Sequence, residues 1–315
     1  MLILGNSYTF MGELDQEVQA VFAAAGEEIA AGRLAEPGWR FTQHVEAIET
    51  AGSQWQLAFA EPQAWVVLQE QSQIPGFPDG QADLAESRDA AVVLDGYAAS
   101  TGAQTMFLMT WGRRDGDADN PDTFPDFETM QTALAAGYLD YAARASADGT
   151  PAWVAPAGLA WARVHDDVVA GGGDPLDPAS AFYGLYIDDG SHPSVRGTYL
   201  AACVIYASIT GRSPVGLDAP GTVSDPAYLQ GVAAAVVLDG EGIAYPWQWD
   251  VDTGDTSDTS DTSDTSDTDE PAAGDDTGAP SEGACGCDVA SSTGGYWLVG
   301  LGLVVAGRRR VSGGR

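Results

Sequence analysis

The chain has 315 residues, with 46 acidic against 13 basic side chains and a formal net charge of −33 at pH 7. All 13 basic residues are arginine, and in the globular part only Arg113 and Arg114 are adjacent. A surface without a basic patch cannot neutralise phosphates, which excludes nucleic acid as a partner. The three cysteines, Cys203, Cys285 and Cys287, are too few for a disulfide framework or a zinc site.

In chain order, Met1-Leu2-Ile3-Leu4 opens a buried strand over residues 1–5, followed by a turn carrying Ser7. The spacing of apolar residues predicts a helix over about 12–25 and a second strand over about 40–45, which includes His44. A third strand covers Trp65-Val66-Val67-Leu68-Gln69 and a fourth Thr105-Met106-Phe107-Leu108-Met109, with an alanine-rich helix over 82–101 between them. Helices follow over 127–148, 157–170 and 195–210, with a fifth strand at Ala152-Trp153-Val154-Ala155. Cys203 falls in the apolar run of the last helix and reads as a core thiol. Strands apolar throughout and separated by helices imply a parallel sheet covered on both faces. Right-handed crossovers then bring all strand C-termini to one edge, where ligands bind. Ser7, Gln69 to Ser72 and Thr110 to Arg114 all follow such ends.

Globular character runs over residues 1–247; residues 248–283 read as an acidic low-complexity linker, with Thr-Ser-Asp repeated from Thr256 to Asp267. Such a tract has nothing to bury and extends by self-repulsion. Residues 284–315 hold Cys285-Gly286-Cys287, an apolar run from Tyr296 to Gly307 and Arg308-Arg309-Arg310. The run reads as a short hydrophobic helix, below the ~20 residues that span a bilayer comfortably. The arginines behind it place the preceding domain outside by the positive-inside rule. An exported chain needs an N-terminal signal, and none precedes the first strand, so the expectation is a true start upstream of Met1.

A serine hydroxyl needs a base to take its proton and a carboxylate to orient that base. The segment Asp189-Gly190-Ser191-His192-Pro193 supplies both from one loop, with Ser7 as the nucleophile it would serve. Asp188 competes with Asp189, and the three-residue offset favours the latter. The other reading of Ser7 is a helix N-cap, and of the Asp-His loop a capping turn. Tyr8, Trp111 and Arg113 are candidates for the rim, although a tryptophan packed on a sheet end is an equal reading. No metal or organic cofactor is implied.

Together Gly5-Asn6-Ser7-Tyr8-Thr9, Leu68-Gln69-Glu70-Gln71-Ser72, Met109-Thr110-Trp111-Gly112-Arg113 and Asp189-Gly190-Ser191-His192-Pro193-Ser194 resemble the SGNH (GDSL-type) hydrolase superfamily over about residues 1–215. The resemblance implies a three-layer α/β/α domain on a mainly parallel, flavodoxin-like five-stranded sheet. It also implies a serine esterase with Ser7, His192 and Asp189 as catalytic residues. By the same analogy the oxyanion hole comprises the Ser7 and Gly52 backbone amides and a side-chain amide. The family's usual asparagine is absent there, so Gln71 takes that place, with Gln69 as the alternate. Short acyl groups on carbohydrate or other extracellular esters are the substrates the resemblance implies. The tail resembles the C-terminal sorting signals of myxobacterial surface proteins, with Cys285 and Cys287 as the motif. That implies a processing protease, transient membrane attachment, and a destination at the envelope or outside the cell. A non-catalytic binding domain using the same crevice is the competing class. A phosphate-binding doubly wound domain lacks the glycine-rich loop it would need.

Overall fold

The computed structural model describes residues 1–249; the linker, Cys285, Cys287 and the apolar run before the arginines lie outside the described residues. Five strands form one all-parallel sheet: β1 (Leu2–Gly5), β2 (Gly32–Ala35), β3 (Trp65–Leu68), β4 (Gln104–Leu108) and β5 (Trp153–Ala155). Their order is β2-β1-β3-β4-β5. The chain moves outward from β1 to β2, then returns past β1 and proceeds the other way. That reversal makes the gap between β1 and β3 the topological switch point of the sheet.

Ten α-helices are present among the described residues: α1 (Ser7–Phe10), α2 (Leu14–Ala24), α3 (Phe41–Glu49), α4 (Gln54–Ala58), α5 (Ala82–Ser100), α6 (Phe127–Ala145), α7 (Ala157–Ala170), α8 (Val195–Thr210), α9 (Pro226–Leu238) and α10 (Pro246–Trp249). None is long and apolar enough to cross a membrane. Alternation along the strands divides the core into two. Ile3, Val67, Met106, Leu108 and Ala155 face a cluster with α2, α7, α8 and α9. Leu4, Val66, Leu68, Phe107 and Val154 face the opposite cluster with α3, α5 and α6. Because strand side chains alternate faces, a sheet buried on both sides must be apolar at every position. This is why β1, β3, β5 and residues 106–108 of β4 read as continuous apolar runs. Helix α8, between the sheet and α9, is buried over Gly197–Ser208, and Cys203 is buried there with its thiol pushed up to about 12 by desolvation.

The strand expected over 40–45 is instead the start of α3. Phe41, His44 and Ile48 are buried at helical spacing, and the Gln43 side chain accepts the Arg40 backbone N–H at 3.1 Å. Three apolar or aromatic residues in six positions fit a strand as well as a helix, and the period decides only when Ile48 is included. The real second strand, Gly-Arg-Leu-Ala at the sheet edge, has no fully buried residue and so carries no apolar run to read.

Candidate active site

Strand β1 delivers Gly5 to the sheet edge, and the chain turns at once into α1. Asn6 caps that helix: its side-chain oxygen accepts the Tyr8 N–H at 3.1 Å, and its amide nitrogen donates to the Trp39 carbonyl at 2.9 Å. Ser7 is therefore not the cap. It stands at the first helical position, where a backbone N–H has no partner within the helix. Gly5 is required by close approach, since a Cβ there would lie 2.5 Å from Gln69 Oε1 and 2.7 Å from Thr9 Cγ2.

Residues 189–192 form a tight loop just before α8. One Asp189 oxygen accepts the Ser191 and His192 backbone N–H groups, both at 2.9 Å. The other lies 2.6 Å from His192 Nδ1. Gly190 adopts φ +66°, and its carbonyl accepts the Arg114 N–H at 2.7 Å, tying the loop to the segment after β4. Partial burial opposes ionisation of Asp189, but the His192 ring and the two backbone donors outweigh it and hold the carboxyl below its ordinary range. With Nδ1 donating to this carboxylate, the lone pair of Nε2 is left to face Ser7. His192 Nε2 lies 2.7 Å from Ser7 Oγ. The fold thus joins two residues 185 positions apart into one Ser–His–Asp relay. Among the described residues, the carboxylate bonded to the imidazole is that of Asp189, and Asp188 makes no hydrogen bond to it.

The cavity beside Ser7 is small, about 130 Å³, and polar, lined by Asn6, Ser7, Tyr8, Gly38, Gln71, Ser72, Arg113, Ser191 and His192. Tyr8 is buried with its hydroxyl 2.6 Å from Ser191 Oγ, and burial raises its phenol above the ordinary value. Arg113 donates to Ser72 Oγ at 3.2 Å and to Gln73 Oε1 at 2.8 Å, and pairs with the buried Asp117. Larger cavities of about 390 and 450 Å³ lie beside Trp153 and Trp249, but among the described residues no histidine lines either.

Several expected site residues lie elsewhere. Gly52 is in the exposed turn between α3 and α4, and its N–H is taken by Gln56 Oε1 at 2.8 Å. The glycine that does line the cavity is Gly38, at φ +68° in the turn after β2, with a backbone N–H free of hydrogen bonds among the described residues. Its signal in the sequence is the turn dipeptide Pro37-Gly38, which follows a half-exposed strand with no apolar run to announce it. Gln69 is fully buried behind the nucleophile turn, where its oxygen accepts the Asn6 N–H at 2.9 Å. Gln71 lines the cavity; one hydrogen of its amide goes to Gln73 Oε1 at 2.9 Å, and the second remains. Trp111 is not at the rim. It is 1 % exposed, stacked between Tyr8 (5.1 Å) and Trp161 (4.1 Å), and its indole N–H donates to the Ser191 carbonyl at 3.0 Å.

His44, on α3, is a packing residue beneath this site. Nε2 donates to the Gly5 carbonyl at 3.0 Å and Nδ1 accepts the Trp55 indole N–H at 3.0 Å, which fixes a neutral ring. Burial depresses its pKa to about 4 despite the Gly5 bond. Among the described residues, Glu128, His165 and Asp166 bring three potential metal-ligand atoms within 4.8 Å of one another, away from the Ser7 cavity.

No protein-family model matches the chain, and no curated protein sequence does. Among solved structures it is similar to a DUF4886 family protein from Bacteroides uniformis, at 16% identity and a TM-score of 0.59, over 78% of this chain and 97% of that one. It also matches a candidate SGNH hydrolase from Slackia heliotrinireducens, at 26% identity and a TM-score of 0.47, over 65% and 95% of the two chains. An acetylxylan esterase from Geobacillus stearothermophilus matches at 15% identity and a TM-score of 0.43, over 65% and 90%. The Bacteroides uniformis likeness establishes that this five-stranded, helix-covered parallel sheet is a fold shared with a solved protein.

Proposed function

We propose that the protein is a serine-dependent ester hydrolase of the SGNH type, working through an acyl-enzyme. The observation that carries this is the continuous relay from Ser7 Oγ to His192 Nε2 at 2.7 Å and from His192 Nδ1 to Asp189 Oδ2 at 2.6 Å. As Ser7 Oγ attacks the ester carbonyl carbon, its proton passes to His192 Nε2, and Asp189 stabilises the resulting imidazolium. The carbonyl oxygen becomes an oxyanion, for which the Ser7 and Gly38 N–H groups and the free amide hydrogen of Gln71 are the donors on hand. Collapse expels the alcohol, protonated by His192, and leaves the acyl group on Ser7. Water then attacks with His192 again as base, releasing the acid and restoring the hydroxyl.

The small, polar cavity favours short acyl groups, and carbohydrate acetates are the substrates proposed. Export, processing at Cys285 and Cys287, and transient membrane attachment are proposed from the tail sequence alone. The competing reading, a non-catalytic binding domain, has no need of a hydroxyl aligned on an imidazole that is itself aligned on a carboxylate. Labelling by a fluorophosphonate tests the choice. The intact protein should be labelled and Ser7→Ala should not; labelling that is absent, or indifferent to Ser7 in folded protein, overturns the hydrolase reading.

A further inference from the structure

Next to Gln71, but outside the lining of the Ser7 cavity, lies a carboxylate that the relay does not use. Glu70 follows β3 and is fully buried. Its Oε1 accepts the Phe41 N–H at 3.0 Å and the Gln71 N–H at 2.6 Å. Its Oε2 accepts the Phe41 N–H at 3.2 Å and the Ser87 hydroxyl, which is itself 2.6 Å from the Tyr141 hydroxyl. Phe41 is the first residue of α3, three positions after Gly38, and Gln71 is the next residue after Glu70. One carboxylate therefore ties the segment bearing Gly38 to the segment bearing Gln71.

We propose that Glu70 is a positioning residue for the hydrolysis described above, holding Gly38 and Gln71 at the spacing an oxyanion requires. Every neighbour of the carboxylate presents a hydrogen, and an ionised carboxylate is an acceptor only, so the ionised form fits the site completely. A protonated Glu70 is a weaker acceptor: with the hydrogen on Oε2 the Ser87 hydroxyl turns to accept it and the Phe41 N–H keeps Oε1 alone, so the tie between the two segments is loosened. Desolvation raises its pKa to about 7, against the hydrogen bonds from Ser87, Gln71 and Phe41 and the charge of Arg40. Arg40 is itself paired with Asp83 at 2.8 Å. Tyr138 and Tyr141, which face Glu70 from α6, have phenols raised by burial and stay neutral; Arg88, near Tyr141, is paired with Asp79 and Asp140. Among the described residues no cation touches Glu70, so its direct partners are N–H and O–H donors, with Arg40 acting only at a distance.

The inference rests on the hydrolase reading, and its test separates the two. In amide TROSY spectra of the full chain, the Phe41 and Gln71 signals should titrate together near neutrality, and should do so still in His192→Gln. In ester hydrolysis, Glu70→Gln should lower kcat about tenfold or more while KM moves less than about threefold, because oxyanion geometry acts in the transition state. The acid limb of the kcat profile should lose one of two protons, and Glu70→Asp should recover it. A Glu70→Gln enzyme with unchanged kcat and acid limb overturns the proposal. So do Phe41 and Gln71 amides that fail to titrate together in the intact protein, a result that holds even if Glu70→Gln does not fold. If hydrolysis proves independent of Ser7 while the two amides still titrate together, the hydrolase reading fails, and the positioning role for hydrolysis falls with it.

Discussion

The side-chain oxygen of Gln69 accepts the backbone N–H of Asn6 at 2.9 Å, pinning the end of β3 to the turn that presents Ser7. Two glutamines two positions apart thus have different tasks: Gln69 supports the turn from behind, and Gln71 faces the cavity. Gln69→Leu leaves the buried Asn6 N–H without a partner and should cost about 1–3 kcal/mol of stability, with activity falling as the turn shifts. Gln71→Ala should leave the unfolding midpoint nearly unchanged and lower kcat. Urea denaturation beside steady-state hydrolysis separates them; equal stability losses would refute the division.

The two glycines should separate in the same way. Both have positive φ, Gly38 at +68° and Gly52 at +78°, with open space where a Cβ would stand. Alanine at either should cost roughly 1–2 kcal/mol of backbone strain. Only Gly38→Ala should reduce kcat, because only Gly38 lines the Ser7 cavity. A matching kcat loss in Gly52→Ala would point the oxyanion donor back to the turn between α3 and α4.

Asp189→Asn should lower kcat by about a thousandfold or more, since the imidazole loses both its orientation and its stabilising charge. Asp188→Asn should leave kcat within twofold or so, as this side chain does not reach His192. The depressed pKa of Asp189 means that its stabilising contribution is present above the ordinary carboxylate range and is lost as pH falls through its lower folded value. Kinetics at pH 8 on the two variants checks the assignment.

Glu70 and His44 give opposite pH signatures. The folded pKa of Glu70, about 7, lies above its unfolded value, so its contribution to stability is fully present at low pH and is lost as pH rises towards 7. Relative to the intact protein, Glu70→Gln should therefore gain stability as pH rises from about 4.5 to 7 and level off above it. His44, neutral down to about 4, contributes stability that disappears as pH falls from its ordinary value through 4. Chemical denaturation at half-unit pH intervals measures both slopes, and a Glu70→Gln difference of the opposite sign would contradict a buried, raised carboxyl.

A cavity of about 130 Å³ with hydroxyl, amide and guanidinium groups in its wall should reject long acyl chains. Hydrolysis of p-nitrophenyl esters should fall steadily from acetate to octanoate, by about tenfold or more across the series. A maximum at octanoate would mean that the acyl chain lies outside this cavity.

The all-parallel character of the sheet is legible in the amino-acid letters, because strands buried on both faces read as apolar runs, and β1, β3, β5 and residues 106–108 of β4 do. The letters also marked Ser7, His192 and Asp189, since a serine at a strand end and an Asp-x-x-His loop are local patterns. Tertiary structure alone decided what long-range contacts decide. Edge strand β2 is half-exposed and leaves no apolar run, so nothing local in the sequence singles out Gly38 over Gly52. Gln69 and Gln71 are equivalent as letters; strand alternation and the loop's departure from the sheet send one behind the turn and one into the cavity. Trp111 could have been rim or core, and the stack between Tyr8 and Trp161 made it core. Glu70 reads as a surface charge, and becomes a buried tie between two walls only when α3, α5 and α6 close around it.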